Sequence, residues 1–133
     1  MNGTIRDREG AWRGRRPMAE VMLLGDQAKG VLALYDTPVG MLVSVRIGGR
    51  GLHEGSVYRL GREVGGKREI FSWFPPLYER EGEASRQIMT QKISPKELWD
   101  CCFFLRDQEG VELMGRLERQ QPLGRRARVV GGA

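Results

Sequence analysis

Residues 70–105, IFSWFPPLYEREGEASRQIMTQKISPKELWDCCFFL, hold the features that decide the fold: the densest aromatic content, both cysteines and the clearest helix signal. In an extended chain, residues 70–74 place apolar side chains on nearly both faces, which predicts a buried strand. Pro75 and Pro76 end this strand, because proline cannot donate a hydrogen bond to a neighbouring strand. The stretch therefore predicts packed β-strands.

A short helical turn is predicted near residues 95–100. Ser94 and Glu97 have the spacing of a capping box, and Pro95 occupies the first helical position, where a missing amide costs nothing. This turn separates two further predicted strands, an exposed one over residues 84–93 and a buried one over residues 101–105.

The remainder of the chain repeats short apolar runs that are separated by turn residues. Met41, Val43, Val45 and Ile47, for example, share one face of an extended segment, as in a strand with one buried side. The other predicted strands are residues 18–24, 29–35, 57–61 and 111–117. About eight strands at this spacing predict an all-β, antiparallel sandwich or barrel.

The basic character of the chain lies at its two ends. The net charge is +5 over 133 residues, yet residues 18–117 carry 13 basic and 14 acidic side chains, a net charge of −1. Residues 1–17 and 118–133 together carry 9 basic and 3 acidic side chains, a net charge of +6. We predict one domain over residues 18–117 between two disordered basic tails. Because Met18 directly precedes the first strand, translation starting there is an alternative.

The sequence has no apolar run near the roughly 20 residues that a membrane helix needs, and its arginine-rich start does not resemble a secretory signal. Cys101 and Cys102 are adjacent, so on a strand they point to opposite faces, and no structural disulfide is expected. One core thiol and one partly exposed thiol are predicted instead. These features predict a cytoplasmic protein that does not enter a membrane.

Three segments together resemble the copper/zinc superoxide dismutase family. Residues 19–49, AEVMLLGDQAKGVLALYDTPVGMLVSVRIGG, look like its first strands, and residues 51–61, GLHEGSVYRLG, are similar to its glycine, leucine and acidic-glycine turn and the strand that follows. Residues 74–105 resemble the bacterial branch, in which a Leu-Pro-Pro-Leu motif precedes a strand, a short acidic turn and an apolar strand. The resemblance covers most of residues 18–117 and implies a Greek-key sandwich of about eight strands.

The metal site of that family does not carry over to this sequence. Tyr58 and Leu60 stand where the family has two histidine ligands, and Trp73 stands where the zinc aspartate would precede the proline motif. A dismutase needs several imidazoles to hold and cycle copper, whereas this chain has one histidine. The resemblance therefore implies a protein without metal, cofactor or catalysis.

Histidine, cysteine and glutamate residues often act in catalysis or metal binding, but in this sequence each can be interpreted without such a role. His53 lies in a predicted turn and is interpreted as a solvated loop histidine, because zinc needs four ligands, or three and a water molecule. The sequence places no base beside either cysteine. The alternating carboxylates at Glu79, Glu81 and Glu83 are interpreted as a solvated turn and not as a catalytic acid/base pair. We therefore expect that the protein is not an enzyme.

Two binding functions remain. The first is binding of another protein, because aromatic anchors and arginine carry much of the energy of protein interfaces. In an alternative interpretation, the same rings plug the open end of the sandwich. The residues predicted to bind a protein are Arg59, Arg62, Trp73, Phe74, Leu77 and Tyr78.

The second function is binding of nucleic acid or another polyanion through the tails, by release of counterions. The residues predicted for it are Arg13, Arg15, Arg16, Arg125, Arg126 and Arg128. A tail that only keeps the protein soluble is an equal alternative. A third function, metal-dependent superoxide dismutation, is the one that the ligand positions favour least.

Overall fold

The computed structural model describes residues 16–91 and 93–117. In these residues the protein is all-β, as predicted, and its antiparallel strands form one curled sheet, a half-barrel. The nine strands of this part of the chain are β1 (Ala19–Gly25), β2 (Ala28–Thr37), β3 (Gly40–Gly48), β4 (Val57–Val64), β5 (Lys67–Ile70), β6 (Leu77–Tyr78), β7 (Glu83–Thr90), β8 (Cys102–Arg106) and β9 (Glu112–Arg116).

Along the sheet the strands follow the order β5-β4-β8-β9-β1-β2-β3-β7, and the short β6 pairs with β4. β1, β2 and β3 are consecutive hairpins, and the β1–β2 turn at Asp26 and Gln27 lies at the predicted position. β1 also pairs with β9, where Leu24 lies opposite Met114 and Gly25 opposite Leu113. This pairing joins the first and last strands of the described residues.

The core lies inside the curl, where β1 to β4 contribute side chains from alternate positions. In β1, Val21 and Leu23 are buried, whereas Met22 and Leu24 on the opposite face are exposed. Both halves of the sheet supply fully buried leucines, such as Leu23 and Leu105, and each contributes about 1.5 to 3 kcal/mol by its removal from water.

The buried strand predicted over residues 70–74 is wrong. β5 ends at Ile70, and residues 71–74 form a turn in which the amide of Phe74 donates to the carbonyl of Phe71 at 3.4 Å. A strand would send these two side chains to opposite faces, but the turn brings both rings into the core, where each is 5% exposed. The edge strand is instead Lys67–Ile70, which consists of three charged residues and one isoleucine, and all four are exposed.

The short helical turn is confirmed as one turn of 3₁₀-helix over Pro95–Leu98. The amide of Ser94 donates to Glu97 Oε2 at 3.1 Å, which is one half of the predicted capping box. Leu98 is buried at the end of the turn, and Trp99 packs partly buried against the core. The described residues contain no helix with the length and apolar character needed to span a membrane.

Candidate functional site

The six residues predicted to bind a protein do not lie on one surface. Phe74 and Leu77 are buried in the core, with exposures of 5% and 0%. Trp73 is half-buried and packs against Phe71, their ring centroids 4.8 Å apart. These three residues are therefore part of the packed interior or its margin.

Arg62 is held by three neighbours. Its Nη1 donates to the carbonyl of Glu97 at 2.9 Å, its Nε lies 3.1 Å from Glu69 Oε1, and its guanidinium lies 5.8 Å from the centroid of the Phe71 ring. This arginine therefore spans β4, β5 and the 3₁₀ turn. Its hydrogen-bond donors are used within the fold, so Arg62 is less available for binding a partner.

Arg59 and Tyr78 are the two predicted binding residues that are exposed. Tyr78 lies opposite Val57 in the β4–β6 pair, so it shares a face with Arg59, two positions further along β4. Arg59 lies directly opposite Arg106 of β8, and it forms no ion pair with a described residue. Arg106 Nε lies 3.9 Å from Glu112 Oε2, so Arg59 is the member of this like-charged pair that is available to an acidic group.

A different surface, the outer face of β1, β2 and β3, carries an apolar groove of about 690 Å³. Met22 and Leu24 line it with exposures of 56% and 60%, and Val31 lies directly opposite Met22 in the β1–β2 register. Lys29 and Arg46 flank these side chains, and neither forms an ion pair with any described residue. The groove is thus apolar at its centre and basic beside it. We call it the outer groove.

The outer face of β4, β8 and β9 carries an aromatic side chain that is covered. The guanidinium of Arg68 lies 4.6 Å from the centroid of the Phe104 ring, and Phe104 is 2% exposed. Arg68 also pairs with Glu112 and, at 2.9 Å, with Glu63, and these two carboxylates raise its pKa. We call this arrangement the Arg68 cover.

The loops at β3–β4 and β6–β7 are tied together by Glu79. Its two carboxylate oxygens accept from the amides of Gly55, at 2.6 Å, and Gly82, at 2.7 Å. These amides, first that of Gly82 and then that of Gly55, hold the pKa of Glu79 below its ordinary value. The predicted solvated turn therefore includes a carboxylate with a definite structural role.

The β3–β4 loop also brings His53 to the β8–β9 turn. His53 Nδ1 lies 2.8 Å from Glu109 Oε1 and 3.8 Å from Asp107 Oδ2. The nitrogen and carboxylate oxygens of these three residues all lie within 4.8 Å of one another. The histidine and Glu109 are exposed, whereas the side chain of Asp107 is buried.

The sequence alone did not identify this cluster. The sequence predicts a solvated loop histidine at His53, whereas its neighbours in the structure are carboxylates 54 and 56 positions later in the chain. The available signal was the Asp-Gln-Glu-Gly run at residues 107–110, which places two carboxylates in one tight turn. Only the pairing of β4 with β8 brings that turn to the histidine.

The two thiols are free, one buried at Cys101 and one partly exposed at Cys102, which confirms the predicted difference in burial. Of the arginines predicted to bind a polyanion, Arg16 is described and exposed. The others, Arg13, Arg15, Arg125, Arg126 and Arg128, lie outside the described residues, as do most of the predicted disordered tails.

Comparison with known proteins gave no relative: no family model, curated protein or solved structure matches this chain.

Proposed function

We propose that this protein is a non-catalytic module that binds another protein through the outer groove. The observation that carries the proposal is the exposure of Met22 and Leu24, two large apolar side chains on the outer face of a strand that has neighbours on both sides. Soluble proteins tend to expose apolar patches where they bind something. Methionine adapts its shape to apolar partners and is common at such surfaces.

The charges beside the groove indicate the chemistry of the partner. Lys29 lies opposite Leu24 in the β1–β2 register, and Arg46 lies opposite Val31 in the β2–β3 register. Both cations are free to pair with a partner, whereas Glu83 is the acidic residue on the rim. The expected partner is a protein segment with apolar side chains at its centre and Asp or Glu at its flanks. Arg59 and Tyr78 form a second exposed contact for such a protein.

The test is selection of peptides from a random library by the full chain. Enriched peptides should combine apolar residues with Asp or Glu, and they should lose binding to a Met22→Thr, Leu24→Thr variant. The control is Val64→Thr, which changes another exposed apolar side chain on a strand, 53% exposed, outside the outer groove. Equal loss of binding in both variants, or in neither, would contradict the proposal.

The binding site can be mapped with the methyl groups of methionine. Met22 lies in the outer groove, Met114 lies opposite Leu24 beside it, and Met41 is buried in the core. An added peptide should shift the NMR signals of Met22 and Met114 and leave that of Met41 in place. The opposite pattern would place the peptide elsewhere.

We further infer that the fold is a Greek-key sandwich related to copper/zinc superoxide dismutase and lacks its catalysis. What supports the inference is the strand order, in which the chain passes from β3 to β4 and from β7 to β8 between distant positions of the sheet. The family's copper-ligand positions are occupied by a phenol, Tyr58, and an apolar side chain, Leu60. Both are buried, with exposures of 0% and 1%. Copper-loaded protein should dismutate superoxide no faster than the same copper bound to albumin.

Polyanion binding through the arginines of residues 1–17 and 118–133 is the second candidate. The observation that favours it is the charge distribution, +6 in these two segments against −1 in residues 18–117. Binding of a generic duplex DNA should weaken steeply between 50 and 200 mM salt, as counterion release requires. Substitution of Arg125, Arg126 and Arg128 by glutamine should reduce the salt dependence, whereas Arg59→Gln on the folded domain should not.

A further inference from the structure

The cluster of His53, Asp107 and Glu109 has the geometry of a cation site. Four-coordinate zinc binds nitrogen and oxygen at about 2.0 to 2.2 Å, so its ligand atoms lie about 3.4 Å from one another. The distances from His53 Nδ1 to the two carboxylates, 2.8 and 3.8 Å, lie on either side of that value. Small side-chain adjustments of exposed His53 and Glu109 would equalise them.

One ligand of the cluster is fixed by the fold. Asp107 Oδ1 accepts from the amides of Glu109, at 2.9 Å, and Val111, at 2.8 Å, and Oδ2 accepts from the hydroxyl of Ser56 at 3.3 Å. These bonds orient the carboxylate at the bottom of the cluster and leave Oδ2 facing His53. In metal sites, hydrogen bonds from neighbouring groups orient the ligating carboxylates in this way.

An independent observation comes from Tyr58, whose side chain is fully buried beside the cluster. Its hydroxyl ends near the backbone of His53, the side chain of Ser56 and the carboxylate of Asp107, but meets no described residue in hydrogen-bonding geometry. A buried hydroxyl without a partner costs about 1 to 3 kcal/mol, which favours a partner beyond the described residues, such as a bound ligand. A phenol hydroxyl can donate one hydrogen bond, here to a ligand bound in the cluster.

We propose that His53, Asp107 and Glu109 bind a divalent transition-metal ion of the zinc type, and that Tyr58 supplies a hydrogen bond to the ligand that completes its coordination. One imidazole with two carboxylates and a water molecule suits zinc, since imidazole favours transition metals over magnesium or calcium. This goes beyond the binding module proposed above and differs from the metal-free protein that the sequence predicts. It does not restore a dismutase, because a single imidazole cannot replace the several that copper cycling requires.

The single histidine of the chain makes a direct test possible. In the full chain without an added histidine tag, the two imidazole nitrogens of His53 give NMR signals that no other residue overlaps. One equivalent of Zn²⁺ at pH 7 should shift Nδ1 strongly and Nε2 weakly. Co²⁺ should give the visible absorption of a four-coordinate site. Shift of Nε2 alone, or saturation by Mg²⁺ or Ca²⁺ with no imidazole shift, would overturn the proposal.

Variants separate this site from the thiols. His53→Gln and Glu109→Gln change exposed side chains and should weaken Zn²⁺ binding by more than the roughly 10- to 100-fold that a change outside the ligand set causes. Tyr58→Phe should weaken it by about 10-fold. The matched control Glu54→Gln, an exposed carboxylate next to His53, should have no effect, and neither should Cys102→Ala.

Zn²⁺ binding that survives both ligand variants but disappears with Cys102→Ala would assign the metal to the thiols and overturn the proposal. Binding weaker than about 1 mM in the unmodified chain would overturn it as well, since that affinity corresponds to only about 4 kcal/mol. None of these measurements depends on the outer groove, so failure here and failure of the proposed protein-binding function are distinguishable.

Discussion

The two outer faces of the half-barrel differ in how far their apolar side chains are exposed to solvent. On β4, β8 and β9, Phe104 points away from the core and is only 2% exposed, with Arg68 across its ring and Gly61 packed closely beside it. On β1, Met22 and Leu24 also point away from the core, and more than half of each is exposed. The same sheet thus covers one outward apolar surface and leaves the other uncovered.

The difference lies in the neighbouring charges. Around Phe104, Glu63 and Glu112 hold Arg68 in place from two sides, so its long side chain shields the ring. Around Leu24, the neighbouring cations Lys29 and Arg46 have no acidic partner among the described residues to fix them across the groove. A covered surface contributes to stability, and an uncovered one is available to a partner.

Phe104→Ala tests the covered side and should have the largest effect. The ring is nearly fully buried, so its removal should lower the free energy of unfolding by about 3 to 5 kcal/mol in urea titrations. Leu24→Ala, on the uncovered face, is the matched control and should cost far less. Equal losses would mean that the two faces do not differ energetically.

Gly61→Ala tests how closely the covered face is packed. A Cβ at Gly61 would lie 2.4 Å from the carbonyl oxygen of Glu69 and 2.6 Å from Phe104 Cζ, so a loss of about 1 to 3 kcal/mol is expected. Gly48, on β3 beside the outer groove, offers the control, because its nearest neighbour would be 3.4 Å away. If Gly48→Ala destabilises the protein as much as Gly61→Ala, the comparison between the faces fails.

Arg68→Gln removes the cover and leaves the ring. The protein should become less stable than the unmodified chain but remain more stable than Phe104→Ala, since the ring still packs. Because ion pairs are screened by salt, the difference in unfolding free energy should shrink between low and high ionic strength. Arg59→Gln, an exposed arginine of β4 with no ion pair among the described residues, should show neither effect.

The smallest effect on stability is expected on the uncovered side. Met22→Thr with Leu24→Thr should change the free energy of unfolding by no more than about 0.5 kcal/mol, because both side chains are already largely in solvent. The same variant should abolish peptide binding to the outer groove. A large loss of stability would show that these side chains pack in solution and are not a free surface.

The sequence was sufficient to predict strands in which apolar and polar side chains alternate. β1, β2 and β3 lie close to their predicted bounds. In β3, for example, the alternating residues Met41, Val43, Val45 and Ile47 indicate the buried face. The segment at residues 71–74 was misassigned, because a run of aromatic residues looks alike in a buried strand and in a turn that sends two rings inward.

The candidate sites were harder to predict, since each depends on pairing between distant strands. Phe104 lies in an apolar run that predicts only a buried strand, and its cover by Arg68 follows from the arrangement of β5, β4 and β8. Met22 and Leu24 belong to a run of four apolar residues, Val21–Leu24, in which the exposed face cannot be recognised from composition. Asp107 and Glu109 became neighbours of His53 only through the sheet register.

The pairing of β1 with β9 has a consequence for the charged ends of the chain. The two strands are antiparallel, and a Cβ on Gly115 would lie 2.7 Å from Val21 Cγ1, so the chain enters β1 and leaves β9 at adjacent points. The nine basic residues of segments 1–17 and 118–133 are therefore attached at one corner of the molecule. If both segments bind one polyanion, as the second candidate function requires, this shared attachment would raise their effective concentration, and the affinity of the pair would exceed that of either segment alone.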